Sequence, residues 1–245
     1  MNDLTNKIAF VSGATSGIGE ACARRFAMAG AIVVVAGRNA EKGAKIIADI
    51  NRYGGKKSSF CYLDITDDSS IAKAVETVKE KYGHIDILVN NAGVFPVTPG
   101  LGEIERCSCL SIVDTNVNGT LMMTQAFLPF LSKGGCVLNN ASVAGLDSYT
   151  AGQSYLYSAS KAAIIKITKL LAKKYGKDYR FNAICPGVIR TPLFKHFDEA
   201  RYAKEIPMGK VGEPADVAAV ANFLVSDDAS YVNGAVLTID GGQSL

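Results

Sequence analysis

Seven short runs of apolar, mostly β-branched residues recur along the chain, separated by longer stretches of helical character. This alternation limits the fold more than any other feature. The runs fall at 8–12, 32–37, 58–63, 87–90, 136–140, 181–185 and 236–239. They are apolar almost throughout, as in strands buried on both faces, and such strands belong to a parallel sheet covered by helices. Helical spacing governs stretches such as 17–29, 40–53, 69–82 and 158–175. The alternation predicts a doubly wound parallel sheet in a three-layer α/β/α arrangement, with right-handed crossovers. No linker, repeat or low-complexity tract divides the 245 residues, so a single domain is expected. The stretch 190–210 breaks the rhythm, with Pro192 and Pro207 around a short helical pattern. Ligands bind outside the carboxyl ends of the strands in open parallel sheets, so this insertion is expected to form a lid.

Composition narrows the function by exclusion. A net charge of +3 with no dense Lys/Arg block does not suggest nucleic acid as a partner. The first residues lack the basic-then-apolar pattern of a secretory signal, and runs such as 32–36 are too short to cross a bilayer, so no membrane role is expected. The six cysteines are scattered, with only Cys107 and Cys109 close together, and no Cys/His cluster suits a metal. Reduced thiols in a cytoplasmic protein are the expectation. His84 reads as a loop residue before a strand, and His196 falls in the 190–210 insertion, where it either touches substrate or stands alone.

The first strand runs into Gly13-Ala14-Thr15-Ser16-Gly17-Ile18-Gly19, and a helical pattern follows. Glycines there let the backbone turn tightly and approach a pyrophosphate, whose charge then sits at the helix N-terminus. The spacing is G-x-x-x-G-x-G, a modest signal by itself; the strand before it and the helix after it strengthen it. At the end of the second strand an acidic residue would bind the ribose 2′-hydroxyl of NAD. Gly37, Arg38 and Asn39 stand there instead. Gly37 removes the carboxylate that would repel a 2′-phosphate, and Arg38 offers a guanidinium to bind one, so NADP(H) is preferred. NAD(H) stays as the alternative, with Arg38 solvated and Glu41 reaching the ribose.

Further motifs follow in order: Asp64 after the third strand, Asn90-Asn91-Ala92-Gly93, Asn116, Ser142, Tyr157-Ser158-Ala159-Ser160-Lys161, Pro186-Gly187 with Thr191, and Asp240-Gly241-Gly242. Each is modest, but together, in this order and over the full length, they resemble the short-chain dehydrogenase/reductase family in its compact branch, with a Rossmann-like fold. The resemblance implies cofactor contacts at Gly13, Thr15, Ser16, Gly17, Ile18 and Gly19, and at Gly37, Arg38 and Asn39. It implies that Asp64 and Ile65 flank the adenine, that Asn91, Ala92 and Gly93 line the groove, and that Thr191 holds the nicotinamide carboxamide beside Pro186, Gly187, Val188 and Ile189. Tyr157 and Lys161 would touch the cofactor as well as act in catalysis.

Tyr157 and Lys161 are four apart in a helical segment and so share a face. A free phenol has a pKa of about 10, and a neighbouring ammonium is expected to lower it by roughly 1–3 units. The spacing is not specific, since Tyr53 and Lys57 match it too, without catalytic partners in the family order. Tyr155 lacks a lysine at 159 and is expected to be a packing residue. Ser142 follows the fifth strand, and the resemblance implies that its hydroxyl binds the carbonyl oxygen beside Tyr157. Asn116 would hold a water that links Lys161 to solvent, with Asn118 as the competing asparagine.

The resemblance thus implies hydride transfer between a nicotinamide cofactor and a ketone or secondary alcohol, with Tyr157 as acid/base. Val94, Phe95, Ser142, Ala144, Leu146, Val188, Leu193, Phe194 and Phe197 are expected to wall the substrate pocket. That largely apolar set suits a bulky substrate such as a hydroxysteroid or bile acid. The alternatives are a 3-oxoacyl-[acyl-carrier-protein]-type reductase and a non-catalytic NADP-binding scaffold on the same fold. Two departures from the family stand out. The Ser142–Tyr157 connection is about two residues longer than the family usually has, with a polar tip Asp147-Ser148-Tyr149-Thr150 that is expected to change the substrate pocket more than the catalytic geometry. The following helix is rich in lysine (Lys166, Lys169, Lys173, Lys174, Lys177). That helix is either a docking face for an acidic partner or a solvated face. A homotetramer, or else a homodimer, is implied, with 103–131 and 158–175 pairing between subunits and 235–245 forming a second interface.

Overall fold

The computed structural model describes residues 3–52, 57–96, 101–150, 154–194 and 198–245. Strands β1 (Ile8–Val11), β2 (Ile32–Gly37), β3 (Ser59–Tyr62), β4 (Ile85–Asn90), β5 (Leu131–Asn140), β6 (Arg180–Pro186) and β7 (Val236–Ile239) form one sheet in the order β3-β2-β1-β4-β5-β6-β7. Every neighbouring pair is parallel. Helices α1 (Gly17–Met28), α2 (Ala40–Ile50) and α8 (Pro214–Val225) cover one face. Helices α3 (Asp68–Tyr82), α5 (Thr120–Phe127) and α6 (Tyr155–Tyr175) cover the other. The fold is the expected single-domain, Rossmann-like α/β sandwich.

Burial on both faces explains the near-continuous apolar runs. In β2, Val33 and Val35 join the core under α1 and α8, while Val34 and Ala36 join the core under α3 and α5. The strand order reverses between β1 and β4, which opens a crevice at their carboxyl ends. A buried polar seam crosses the sheet below it. Asn90 Nδ2 donates to Thr124 Oγ1 and to Asn139 Oδ1, both at 2.9 Å, and Asn139 Nδ2 donates to Thr168 Oγ1 at 2.9 Å. These bonds tie α5, β4, β5 and α6 together where the site residues emerge.

The expected long helix over 103–131 is interrupted. Helix α4 (Arg106–Val113) passes into a wider, π-helical turn over Asp114–Gly119 before α5 begins, and a 3-10 turn at Leu128–Phe130 closes the run. Gly119 permits this, because a Cβ there would lie 2.9 Å from both the Ile65 carbonyl oxygen and the Ile65 Cδ1. Helix α6 starts at Tyr155, three residues before the expected position, which places Tyr157 inside its first turn. Tyr155 is 42% exposed at the helix start and is not the packing residue expected. Within 190–210, a 3-10 turn at Pro192–Phe194 leads towards α7 (Glu199–Glu205). His196, Phe197 and Tyr53 lie outside the described residues.

Among the described residues, no helix is long and apolar enough to cross a membrane, and no group of three or more His, Cys, Asp or Glu could hold a metal ion. Cys22, Cys61, Cys136 and Cys185 are buried free thiols, and Cys107 and Cys109 are also free.

Candidate active site

The turn from β1 into α1 is built around absent side chains. Gly13 and Gly17 sit at φ +63° and +57°, a region that disfavours residues with a Cβ. A Cβ on Gly13 would lie 2.8 Å from Ala92 Cα, and one on Gly19 would lie 2.4 Å from Asn91 Nδ2. Ser16, the residue before α1, makes no side-chain capping bond, so the first-turn N–H groups of the helix have no side chain over them. Asn91 and Ser12 pin the turn to β4. Asn91 Nδ2 donates to Ser12 O at 3.1 Å and Gly13 O at 3.3 Å, and Ser12 Oγ accepts the N–H groups of Asn91 and Ala92. Asn91 therefore braces the groove as well as lining it.

The cleft along the carboxyl ends of β1 to β4 has a volume of about 560 Å³. Gly13, Thr15, Ser16, Gly17, Ile18, Gly37, Arg38, Asn39, Asp64, Ile65, Asn91, Ala92, Gly93 and Thr191 line it. Gly19 lies behind this wall, in the buried face of α1. Gly37 packs close to Thr15, with a built Cβ 3.0 Å from Thr15 Cγ2. The Arg38 side chain is 72% exposed and its guanidinium lies 3.9 Å from Asp64 Oδ2. Hydrogen bonds from Thr66 hold the Asp64 carboxyl below its ordinary pKa, and Arg38 acts in the same direction. Asn39 caps α2 by accepting from Lys42 N–H, and Glu41 is paired with Lys45 at 2.7 Å. A close-approach glycine turn, an uncapped helix N-terminus and an exposed guanidinium at the far end fit a phosphate-bearing dinucleotide.

A second cavity of about 420 Å³ adjoins this cleft, beyond β5 and β6. Ser142 and Tyr157 reach it together. Ser142 is fixed as the cap of a 3-10 turn over Val143–Gly145, accepting Ala144 N–H at 3.2 Å. Lys161 is buried under Tyr157, its Nζ 5.6 Å from the ring centroid and donating to Asn140 O at 2.8 Å. Burial pushes the Tyr157 phenol up to about 12, with the nearby Ser142 hydroxyl acting in the opposite direction. Burial also pushes Lys161 down to about 8. The lowered phenol expected from an adjacent ammonium is thus corrected. Desolvation dominates both groups, raising the phenol and lowering the lysine.

Asn116 sits in the π-helical turn with both of its amide hydrogens engaged. Its Oδ1 accepts Val94 N–H at 2.9 Å, and its Nδ2 donates to Val94 O at 3.0 Å and to Ser160 Oγ at 3.1 Å. Ser160 Oγ in turn donates to the Tyr157 carbonyl at 2.7 Å. The side chain therefore braces Val94 and the first turn of α6, and Oδ1 keeps one lone pair for a further donor. Asn118 is exposed and bonds Asp114, away from the site.

The substrate-side expectations divide. Val94, Phe95, Ala144, Pro186, Gly187, Val188, Ile189, Leu193 and Phe194 line the second cavity. Phe95 meets the Tyr157 ring edge-on at 4.5 Å and stacks on Phe194 at 5.6 Å. Leu146 does not line it, and packs instead against the core of Ala141, Ile164, Ala183 and Cys185. Gly145 brings this about, since its backbone lies flush on α6, where a Cβ would be 2.5 Å from the Lys161 carbonyl carbon. Tyr149, from the tip expected to change the pocket, also lines the cavity, and so do Arg201, Tyr202, Glu205 and Gln243, which were missed. They come from three separate segments, and only the polar tip at 147–150 gave any local signal. The wall is more polar than the sequence led us to expect.

The family model described as enoyl-(acyl carrier protein) reductase matches residues 13–244. A meso-2,3-butanediol dehydrogenase of Serratia marcescens is 36% identical over 244 residues, covering 98% of this chain and 95% of its own. A short-chain dehydrogenase of Burkholderia cenocepacia, solved in complex with NADP, superposes with a TM-score of 0.92 at 31% identity over the full length of both chains. A 3-ketoacyl-(acyl-carrier-protein) reductase of Brucella melitensis, solved with NADH, gives a TM-score of 0.90 at 32% identity, covering 99% of this chain and 100% of that one. With the glycine turn at the strand-order switch and Ser142, Tyr157 and Lys161 beside the same crevice, these matches establish that the chain belongs to the short-chain dehydrogenase/reductase family, and so is an oxidoreductase working with a nicotinamide cofactor.

Proposed function

We propose that the protein interconverts a secondary alcohol and a ketone, with NADP(H) preferred to NAD(H). The observation that carries this reading is that Ser142 and Tyr157 face one cavity, with Lys161 buried beneath. When bound, the nicotinamide supplies or takes up the hydride. The rest falls to the chain. Tyr157, held protonated by burial, gives its proton to the carbonyl oxygen in reduction and takes the hydroxyl proton in oxidation. Ser142 donates to the same oxygen as charge develops, and Lys161 stabilises phenolate as it forms. Asn116 is a positioning residue for Val94 and, through Ser160, for Tyr157.

Gly37 and the exposed Arg38 support NADP(H). On the substrate side, Phe95, Phe194, Leu193 and Val94 favour a bulky apolar body, such as a hydroxysteroid or bile acid. A 3-oxoacyl thioester is the second reading, favoured by Lys166, Lys169, Lys173, Lys174 and Lys177, all exposed on or just after α6 as a basic face for an acidic carrier. The segment 190–210 serves as the lid. Exposed Leu110 and Val113 on α4, Met122 on α5 and Leu170 on α6 support a homotetramer built on those helices.

The test is a panel of steroid, bile-acid, 3-oxoacyl-ester and sugar substrates, each assayed with both cofactors. Turnover of an apolar ketone with NADP(H) is expected. Activity with NAD(H) alone would overturn the reading of Gly37 and Arg38, and activity on sugars alone would overturn the substrate class.

A further inference from the structure

The polar tip of the long connection between Ser142 and Tyr157 has no part in the reaction above, yet it reaches the same cavity. Its Tyr149 is half-buried and lines the wall along with Ser142 and Tyr157. Among the described residues, Gln243 is the hydrogen-bond partner of the Tyr149 hydroxyl, its Nε2 donating to the phenol oxygen at 2.9 Å. The orientation of that amide is fixed from its other end. Gln243 Oε1 accepts the Val188 N–H at 3.1 Å, and an N–H can only donate. Gln243 therefore presents its NH₂ to Tyr149, and the phenol accepts there. The phenol's own proton is left to point elsewhere.

That proton is retained at neutral pH. Burial pushes the Tyr149 phenol up, the Gln243 bond works against it, and Tyr202, Glu205 and Asp240 add to the rise. Arg201, on α7, lines the same wall. One of its N–H groups is engaged by Glu205 at 3.2 Å, and a guanidinium carries five donors in all. This side of the cavity thus offers hydrogen-bond donors, well apart in sequence from the pair at Ser142 and Tyr157.

We propose that Tyr149 is a substrate-recognition residue, donating a hydrogen bond to a second oxygen of the substrate, with Arg201 as a further donor on the same wall. The substrate class is a ketone, or the matching secondary alcohol, that carries another oxygen acceptor away from the reacting carbon. The proposal rests on the reading of Ser142 and Tyr157 as the reacting end of the cavity. Gln243 is a positioning residue, which ties the 147–150 tip to the end of the chain and turns the Tyr149 hydroxyl.

The experiment compares kcat/KM for ethyl 3-oxobutanoate with that for 2-hexanone, a ketone of similar length without the ester oxygens. Tyr149→Phe keeps the ring and removes the donor, so the ratio of the two should fall roughly three- to tenfold, carried by KM. Gln243→Glu keeps the hydroxyl and its link to residue 243. A carboxylate there accepts from both Val188 and Tyr149, which draws the phenol proton out of the cavity, and the ratio should fall again. A purely structural tie would keep the wild-type ratio in Gln243→Glu. A ratio at the wild-type value in either variant overturns the proposal. A wild-type enzyme that reduces neither ketone overturns the reading of Ser142 and Tyr157 on which it stands.

Discussion

Burial acts on Tyr157 and Lys161 in opposite directions and sets what each can do at neutral pH. Burial holds the phenol at about 12 and the lysine at about 8. The second value has a consequence for stability. The folded-state pKa of Lys161 lies below its unfolded value of about 10.4, so the unfolded chain binds more protons between the two. Holding Lys161 charged therefore costs folding free energy below pH 8, and that cost is relieved as pH rises from about 8 to 10.5. Thermal denaturation of wild type and Lys161→Met should show the variant losing ground to wild type steadily from pH 8 to pH 10. A difference that stays constant with pH would contradict the shift. At this scale the sequence was informative where residues lie on one local element. Tyr157 and Lys161 share a helical face, and Ser142 closes a strand. Arg201, Tyr202, Glu205 and Gln243 were not legible, because each reaches the cavity from a distant segment with no spacing rule to connect them. Leu146 was misread because the flush contact of Gly145 on α6 turns it into the core.

Elements carry the cofactor groove. The turn between β1 and α1 works because Gly13, Gly17 and Gly19 let it lie against β4 and the loop at Thr191. A methyl on Gly19 would sit 2.4 Å from Asn91 Nδ2 and 2.5 Å from Gly13 O, displacing the amide that clamps β1 to β4. Overpacking of this kind costs about 1–3 kcal/mol, which for a chain of this size is a fall of roughly 2–10 °C in Tm. Gly19→Ala should show that fall by thermal denaturation and a much smaller Tm gain when NADP is added. An unchanged Tm would mean the turn is not built on this contact. The sequence exposed the glycines and the strand–helix setting, since both are local patterns. It missed the π-helical turn at Asp114–Gly119, because one extra residue per turn leaves little trace in a 3.6-residue period. That turn is also what decides between Asn116 and Asn118, a choice the motif alone left open.

At the scale of the whole molecule, two-sided burial of the strands was enough to specify a parallel sheet with helices on both faces. The reversal of strand order between β1 and β4 follows from that winding, and it places the glycine turn and the Ser142–Tyr157–Lys161 group on one rim. The strands read from sequence agree with those found to within a residue at most ends. β4 starts two residues early and β5 five residues early, where polar and glycine residues masked the strand. The nature of the cavity wall was beyond reach, since it is assembled from the 147–150 tip, α7 and the end of the chain. In the proposed reaction Tyr157 moves the proton while the rest of the crevice binds. Tyr157→Phe tests it directly, with turnover of the best ketone of the panel and NADP affinity by titration calorimetry measured on the same preparation. Turnover should fall by about 10²–10⁴ while NADP still binds. Turnover within about twofold of wild type would contradict it.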